Sequence, residues 1–217
     1  MSRTIAIGDI HGCATALAAL LQAVAPTGSD TIVLLGDYVD RGLNSAEVLE
    51  MLVELVSRCH VVPLIGNHEI MMVNALQNKR EVEVWCCNGG LPTIHSYGGR
   101  LQNIPAHHIT FLNHCVRYYE TESHFFVHAS YIPNLPLERQ PGEALFWTHI
   151  LDQPPGPHIS GKKAIIGHTP QEDFEIRDFG HGAIIDTFCV GGGWLTALDI
   201  ESEQVWQTDN FGTLRTG

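Results

Sequence analysis

Three short polar runs each close an apolar stretch, and they set carboxylates, imidazoles, an amide and an arginine side by side. They are Gly8-Asp9-Ile10-His11-Gly12, Gly36-Asp37-Tyr38-Val39-Asp40-Arg41-Gly42 and Gly66-Asn67-His68-Glu69. In a loop leaving a strand, the two-residue spacing of Asp9 and His11 lets an oxygen and an imidazole nitrogen converge on one cation. Taken alone, the same pair also suits a structural turn with a buried histidine. Asp37 occupies the equivalent place after the second apolar run, and a carboxylate there can bridge two cations. Asn67 offers a neutral carbonyl oxygen, for a cation or for a turn hydrogen bond. His68 is a candidate ligand, a candidate proton donor or a packed core histidine.

Two later histidines follow apolar runs of the same kind: His128 after Phe125-Phe126-Val127, and His168 after Ile165-Ile166-Gly167. Either one alone reads as structural; their shared position at strand ends favours a joint metal site. Arg41 carries a planar guanidinium able to contact two phosphoryl oxygens, the alternative being a surface pair with its neighbour Asp40. Asp40 can face His68, fix its ring and keep it protonated, which makes a donor for a departing alkoxide.

The elements that must position these groups are short. Thr4 to Ile7, Thr31 to Leu35 and Val61 to Ile65 read as buried strands, each running into one of the polar loops. Helical patterns follow the first two loops, with Leu17, Leu20, Leu21 and Val24 on one and Val48, Leu49, Leu52, Leu55 and Val56 on the next. Asn44 and Glu47 predict a capping box on the second helix. A third helix is expected from Ile70. Strands are predicted at Arg117 to Glu120, Phe125 to Val127, Ala164 to Ile166, Ala183 to Ile185, Leu195 to Asp199 and Val205 to Gln207. The order predicts one α/β domain over residues 1–217, with two packed sheets between helices and a partly helical excursion at about 80–114. Polar clusters at equivalent strand ends belong along one sheet edge, where α/β proteins bind ligands.

Composition narrows the function. Lys and Arg number 12 against 24 Asp and Glu, a formal net charge of −12, which argues against a nonspecific nucleic-acid surface. No apolar run is long enough to span a bilayer and the amino terminus lacks a signal-peptide core, so no membrane partner and a cytoplasmic location are expected. The six cysteines lack a zinc-ribbon spacing and read as reduced.

On these motifs the sequence resembles the phosphoprotein phosphatase family of serine/threonine phosphatases, within the calcineurin-like metallophosphoesterases, and in particular its short bacterial members. The three leading runs match that family's first motifs, and His128-Ala129 and Gly167-His168-Thr169-Pro170 match its later histidine motifs. The resemblance implies a four-layer α/β/β/α sandwich with two central mixed sheets. It implies two divalent metal ions, manganese first, with iron or zinc permitted by the mixed oxygen and nitrogen donors. Asp9, His11 and Asp37 would surround one ion; Asp37, Asn67, His128 and His168 would surround the other. Asp40 and His68 would form the acid dyad, with Arg41, Asn67 and His68 against the phosphate.

The expected reaction is direct two-metal hydrolysis of a phosphate monoester, without a covalent phosphoenzyme. A phosphorylated protein or peptide is the first substrate class, and a small phosphoester or nucleotide the next. The competing enzyme reading is a dinucleoside polyphosphate hydrolase. A noncatalytic phosphate-binding protein is the reading of another class. One departure stands out: family members carry a second phosphate-contacting arginine, and Leu145-Phe146-Trp147-Thr148-His149 holds none at the corresponding place. His149, Arg139 and Arg177 are the substitutes, and Trp194 either lines the opening or packs beneath a loop.

Overall fold

The structure, a computed structural model, describes residues 2–216. In chain order its strands are β1 (Thr4–Ile7), β2 (Thr31–Leu34), β3 (His60–Pro63), β4 (Tyr118–Glu120) and β5 (His124–Val127). There follow β6 (Lys163–Ile166), β7 (Arg177–Asp178), β8 (Gly182–Ile184), β9 (Leu195–Asp199) and β10 (Val205–Thr208). The helices are α1 (Ala14–Val24), α2 (Ser45–Val56), α3 (Asn67–Gln77), α4 (Glu81–Trp85), α5 (Leu91–Ser96), α6 (Ala106–Asn113) and α7 (Gly142–Phe146).

Two five-stranded mixed sheets result, in the orders β10-β9-β1-β2-β3 and β4-β5-β6-β8-β7. Strand alternation decides which layer each side chain enters. Ile5 and Ile7 of β1 turn outward to the helices, where they pack with Leu17 and Leu20 of α1 and Leu49 and Leu52 of α2. Ala6, between them, turns inward to meet Val33, Phe126 and Ile165 in the seam between the sheets. The second sheet mirrors this: Phe125, Val127, Ala164 and Ile166 face an outer layer of Leu137, Leu145 and Phe146. Burying each large aliphatic chain contributes about 1.5–3 kcal/mol, so these three clusters rather than helix propensity hold the layers. The outermost layer on the second sheet is thin, consisting chiefly of α7, a three-residue turn at Leu137–Arg139 and irregular loops.

Register brings the carboxyl ends of the strands level. Ile7 pairs with Leu34 and Leu34 with Pro63 in the first sheet, while Val127 pairs with Ile166 and Ile166 with Ile184 in the second. The polar segments that follow therefore open on one edge of the sandwich.

Several expectations are corrected. Asn44 makes no side-chain cap bond on α2; its amide donates instead to the Glu47 carboxylate at 3.1 Å, so the capping box does not close. Helix α3 starts at Asn67, not Ile70, because Glu69 reaches back to accept the Gly66 N–H at 3.0 Å, which makes the third polar run the first turn of a helix. Strand β7, two residues on a sheet edge, carries too little pattern to be read from sequence. Between α3 and β4 the chain runs through α4, a wide turn at Cys86–Gly90, α5 and α6, with α5 and α6 against α2. All six cysteines are free thiols. Among the described residues no helix is long and apolar enough to cross a membrane.

Candidate active site

The polar edge is built on strained backbone. His11, Asp37, Asp40, Arg41 and His168 all adopt positive φ, between 45° and 74°. Each such non-glycine residue costs on the order of 1–3 kcal/mol, and strain of this kind persists only where surrounding bonds over-determine it. Here the bonds are visible. The His11 N–H donates to Asp37 O at 2.8 Å and the Gly12 N–H to Tyr38 O at 2.9 Å, locking the first loop to the second. The buried Glu69 carboxylate accepts the N–H groups of Asp37, Tyr38, Val39 and Gly66 at 2.8–3.3 Å, locking the second loop to the third. Glycine is required where loops touch: a Cβ at Gly66 would collide with Asp37 Oδ1, and one at Gly167 with Asp9 Oδ1.

Within this frame the predicted groups converge. Asp37 Oδ2 lies 3.5 Å from His11 Nε2 and 3.9 Å from His68 Nε2, and Asp37 Oδ1 lies 3.4 Å from His128 Nε2. Two clusters share Asp37, one with His11 and His68 and the other with His128 and His168. Asn67 Oδ1 stands 3.0 Å from His128 Nε2. Asp9 joins from the side, both of its oxygens accepting the His168 N–H at 3.0–3.1 Å, so the first loop of one sheet is tied to the last histidine loop of the other.

The donor set fits cations. His11 Nδ1 faces Val39 O at 2.9 Å and His128 Nδ1 faces Leu35 O at 2.8 Å. A ring nitrogen on a carbonyl carries the proton, so in each neutral ring Nε2 presents a lone pair toward Asp37. His128 Nε2, Asn67 Oδ1 and Asp37 Oδ1 are then three acceptors facing one another, an arrangement a cation satisfies. His168 Nε2 is buried with no hydrogen-bond partner in the protein, which is costly unless it ligates. Burial lowers the His11 and His168 rings to about 3 and lowers His128 as well, keeping all three in the neutral form that metal binding needs. Asp37 moves the other way: burial alone would raise it, but the surrounding His128, His68 and His11 hold it well below the carboxylate range.

His68 differs from the other three. Its Nδ1 donates to Asp40 Oδ2 at 2.7 Å. Burial pulls its pKa down, yet Asp37 and the bond to Asp40 outweigh that and raise it. The shift favours the charged ring, whose Nε2 faces Asp37. Asp40 is fully buried, and besides His68 it accepts Trp85 Nε1–H at 2.8 Å and the Thr93 hydroxyl at 2.7 Å. Both donors come from the 81–96 segment, which also anchors Arg41 through its N–H to Gly89 O at 2.9 Å. The surface pair of Arg41 with Asp40, the alternative to phosphate contact, does not form. The exposed Arg41 guanidinium instead lies 2.8 Å from His11 Nε2.

The substitutes for a second arginine separate clearly. Arg177 is spent on structure, donating to Ile150, Leu151 and Asp152 carbonyls at 2.8–3.3 Å. Arg139 sits in the turn after Pro136, on the outer layer of the second sheet. His149 is exposed at the mouth and stacks on His168, ring centroids 4.2 Å apart and planes 19° from parallel. Trp194 is half-buried, with the Arg215 guanidinium 5.4 Å over its ring.

Sequence reasoning passed over Trp85, Thr93 and Asp186. Nothing in their spacing links the first two to Asp40. Asp186 did carry a signal, since it follows the apolar run Ala183-Ile184-Ile185 as Asp9 and Asp37 follow theirs. It is buried, burial pushes it up to about 7, and its charge helps raise Asp9.

Known proteins share this arrangement to different extents. The sequence profile described as calcineurin-like phosphoesterase matches residues 2–206. A symmetrical bis(5′-nucleosyl)-tetraphosphatase of Cronobacter sakazakii is 45% identical over 71 residues, 32% of this chain and 24% of the relative. Serine/threonine-protein phosphatase 2 of Salmonella typhimurium is 33% identical over 85 residues, 39% of this chain and 37% of the relative. These matched stretches thus span only about a quarter to somewhat over a third of the relatives' length. A solved structure provisionally assigned as a diadenosine tetraphosphatase superposes with a TM-score of 0.74 at 22% identity, covering 95% of this chain and 92% of that one. At that identity it speaks for the fold.

Proposed function

This chain belongs to the calcineurin-like phosphoesterase family, and on that premise we propose that it is a two-metal hydrolase of phosphoanhydrides in dinucleoside polyphosphates. One observation carries the hydrolase reading: Asp37 stands between two histidine clusters while the buried His168 Nε2 lacks any partner. In this reading Asp9, His11 and Asp37 hold one divalent cation, and Asp37, Asn67, His128 and His168 hold the other. When bound, such ions would polarise the phosphoryl oxygens and lower the cost of deprotonating an attacking water. Manganese is the first choice of ion, iron or zinc the next.

The chain's own groups supply the rest. Arg41, exposed and tethered at its backbone, swings from His11 to donate to a phosphoryl oxygen, and Asn67 is the second candidate contact to the phosphate. His68, kept protonated by Asp40, donates its Nε2 proton to the leaving oxygen. Trp85 and Thr93 hold the Asp40 carboxyl in place against that ring.

The substrate class rests on the relatives. The 45% identical stretch shared with symmetrical tetraphosphatases exceeds the 33% shared with the protein phosphatase. That shifts the weight from the phosphoprotein reading, which the Asp40-Arg41-Gly42 run and the latter relative still support. Parallel assays of the manganese-loaded protein on diadenosine tetraphosphate and on phosphoserine and phosphothreonine peptides test the choice. The dinucleotide is expected to have the higher kcat/KM; a preference for the peptides would return the assignment to protein phosphatase.

A further inference from the structure

A second group of ligating side chains lies on the outer helical layer, and its residues are distinct from those of the candidate active site. Glu50 of α2 accepts from two adjacent histidines of α6, with Oε2 2.9 Å from His107 Nε2 and 3.0 Å from His108 Nε2. The three ligand atoms fall within 4.8 Å of one another. From these contacts we propose a third metal site, a His2Glu centre for a zinc-class divalent cation that clamps α6 onto α2.

On the Glu50 side the geometry is close to what such an ion demands, and the two histidine nitrogens, within 4.8 Å of each other, would draw together on binding. Ligand distances of about 2.0–2.2 Å in a tetrahedron put neighbouring donor atoms roughly 3.3 Å apart. The two Glu50 contacts need open by only a few tenths of an ångström. Glu50 and His107 are each half-exposed, which leaves the fourth position to water. His108 supplies the rigid side. Its ring is buried, and its Nδ1 lies 2.7 Å from the buried Tyr97 hydroxyl. Burial lowers the His108 pKa even against Glu50, so the ring is neutral as a ligand must be. On binding, the ring proton shifts from Nε2 to Nδ1, where the Tyr97 oxygen accepts it; no net proton leaves this residue. A histidine oriented from behind by a hydroxyl or carbonyl is the usual support for a metal-ligating nitrogen. Hydrogen bonds from His107 and His108 hold Glu50 below its ordinary range, so its carboxylate is ionised and available.

Location gives the site a consequence. Tyr97 directly follows α5, whose Thr93 holds Asp40, and Ser45 at the start of α2 shares a 2.9 Å hydrogen bond with the same Thr93. A cation joining α2 to α6 would therefore brace the segment that orients the acid dyad.

Zinc is the probe. Equilibrium dialysis of the full chain against buffered Zn2+, followed by elemental analysis, is expected to give three equivalents for the native protein. His107→Ala and Glu50→Gln, both at half-exposed positions, should each give two and retain hydrolytic activity. As a second readout, Zn2+ at about a hundredfold its Kd should raise the Tm of an Asp37→Asn chain by roughly 5–10 °C. The rise should vanish in Asp37→Asn/His107→Ala. Equal zinc stoichiometry in native, His107→Ala and Glu50→Gln proteins would overturn the site, and so would a thermal shift unaffected by His107→Ala.

Discussion

The two walls of the candidate active site are built by different means. The wall from the first sheet is fixed from within: Asp37, Asp40 and Arg41 sit on strained backbone held by Glu69, Trp85, Thr93 and Gly89. The wall from the second sheet presents His128 and His168 from strand ends, backed by the exposed His149 and a loop pinned by Arg177. Strain reaches both walls, since His168 also adopts positive φ and donates its N–H to Asp9, so the contrast lies at the rim, where His149 is exposed and meets His168 by stacking. Charge also differs, since the first wall brings the Arg41 guanidinium to 2.8 Å from His11 Nε2.

Replacing the group common to both walls should have the largest effect. Asp37→Asn is expected to abolish retention of both ions and bring turnover to background, read by elemental analysis alongside initial rates. Retention of two ions with normal affinity would break the idea of a shared carboxylate. On the first wall, His68→Gln should keep the metals and lower kcat by about 10²–10⁴ on substrates with poor leaving groups, with little change on nitrophenyl esters. Because the His68 pKa is raised, its proton persists above the ordinary histidine value, and activity should fall as pH rises through the folded pKa. That alkaline limb should flatten in the variant. Arg41→Ala should reduce kcat by about 10²–10³, the usual effect of losing one preorganised donor.

Smaller effects sharpen the contrast. Trp85→Phe leaves Asp40 one donor short in a dry environment and should cost about 1–3 kcal/mol of stability in urea denaturation. On the opposite wall, His149→Ala should change kcat/KM by at most about fivefold, as for an exposed contact worth 0.2–1 kcal/mol. A loss as large as that of Arg41→Ala would make His149 the missing phosphate contact and the two walls equal partners.

Much of this was legible because the relevant signals are local. A four-residue apolar run ending in Gly and a polar cluster places its ligands whatever the rest of the chain does, since strand periodicity sends neighbours to opposite faces. Asp9, His11, Asp37 and His168 follow that pattern, and His128 follows the shorter run Phe125-Phe126-Val127 without the glycine. The start of α3 is a local signal too, since Glu69 lies three residues after Gly66 and accepts its N–H. Trp85 and Thr93 had no such signal, being 45 and 53 residues from the carboxylate they hold. Arg177 looked as suitable for phosphate as any arginine until three carbonyls were found around it.

By itself, then, the sequence determined the strand-end placement of the ligand candidates and the alternating faces that stack two sheets, because both depend on spacing along one segment. Tertiary structure alone decided which histidine pairs with a buried carboxyl, where Arg41 rests and which late residues are structural. Those outcomes depend on burial and on partners from distant segments, and a hydrogen bond across the fold has no period in the chain.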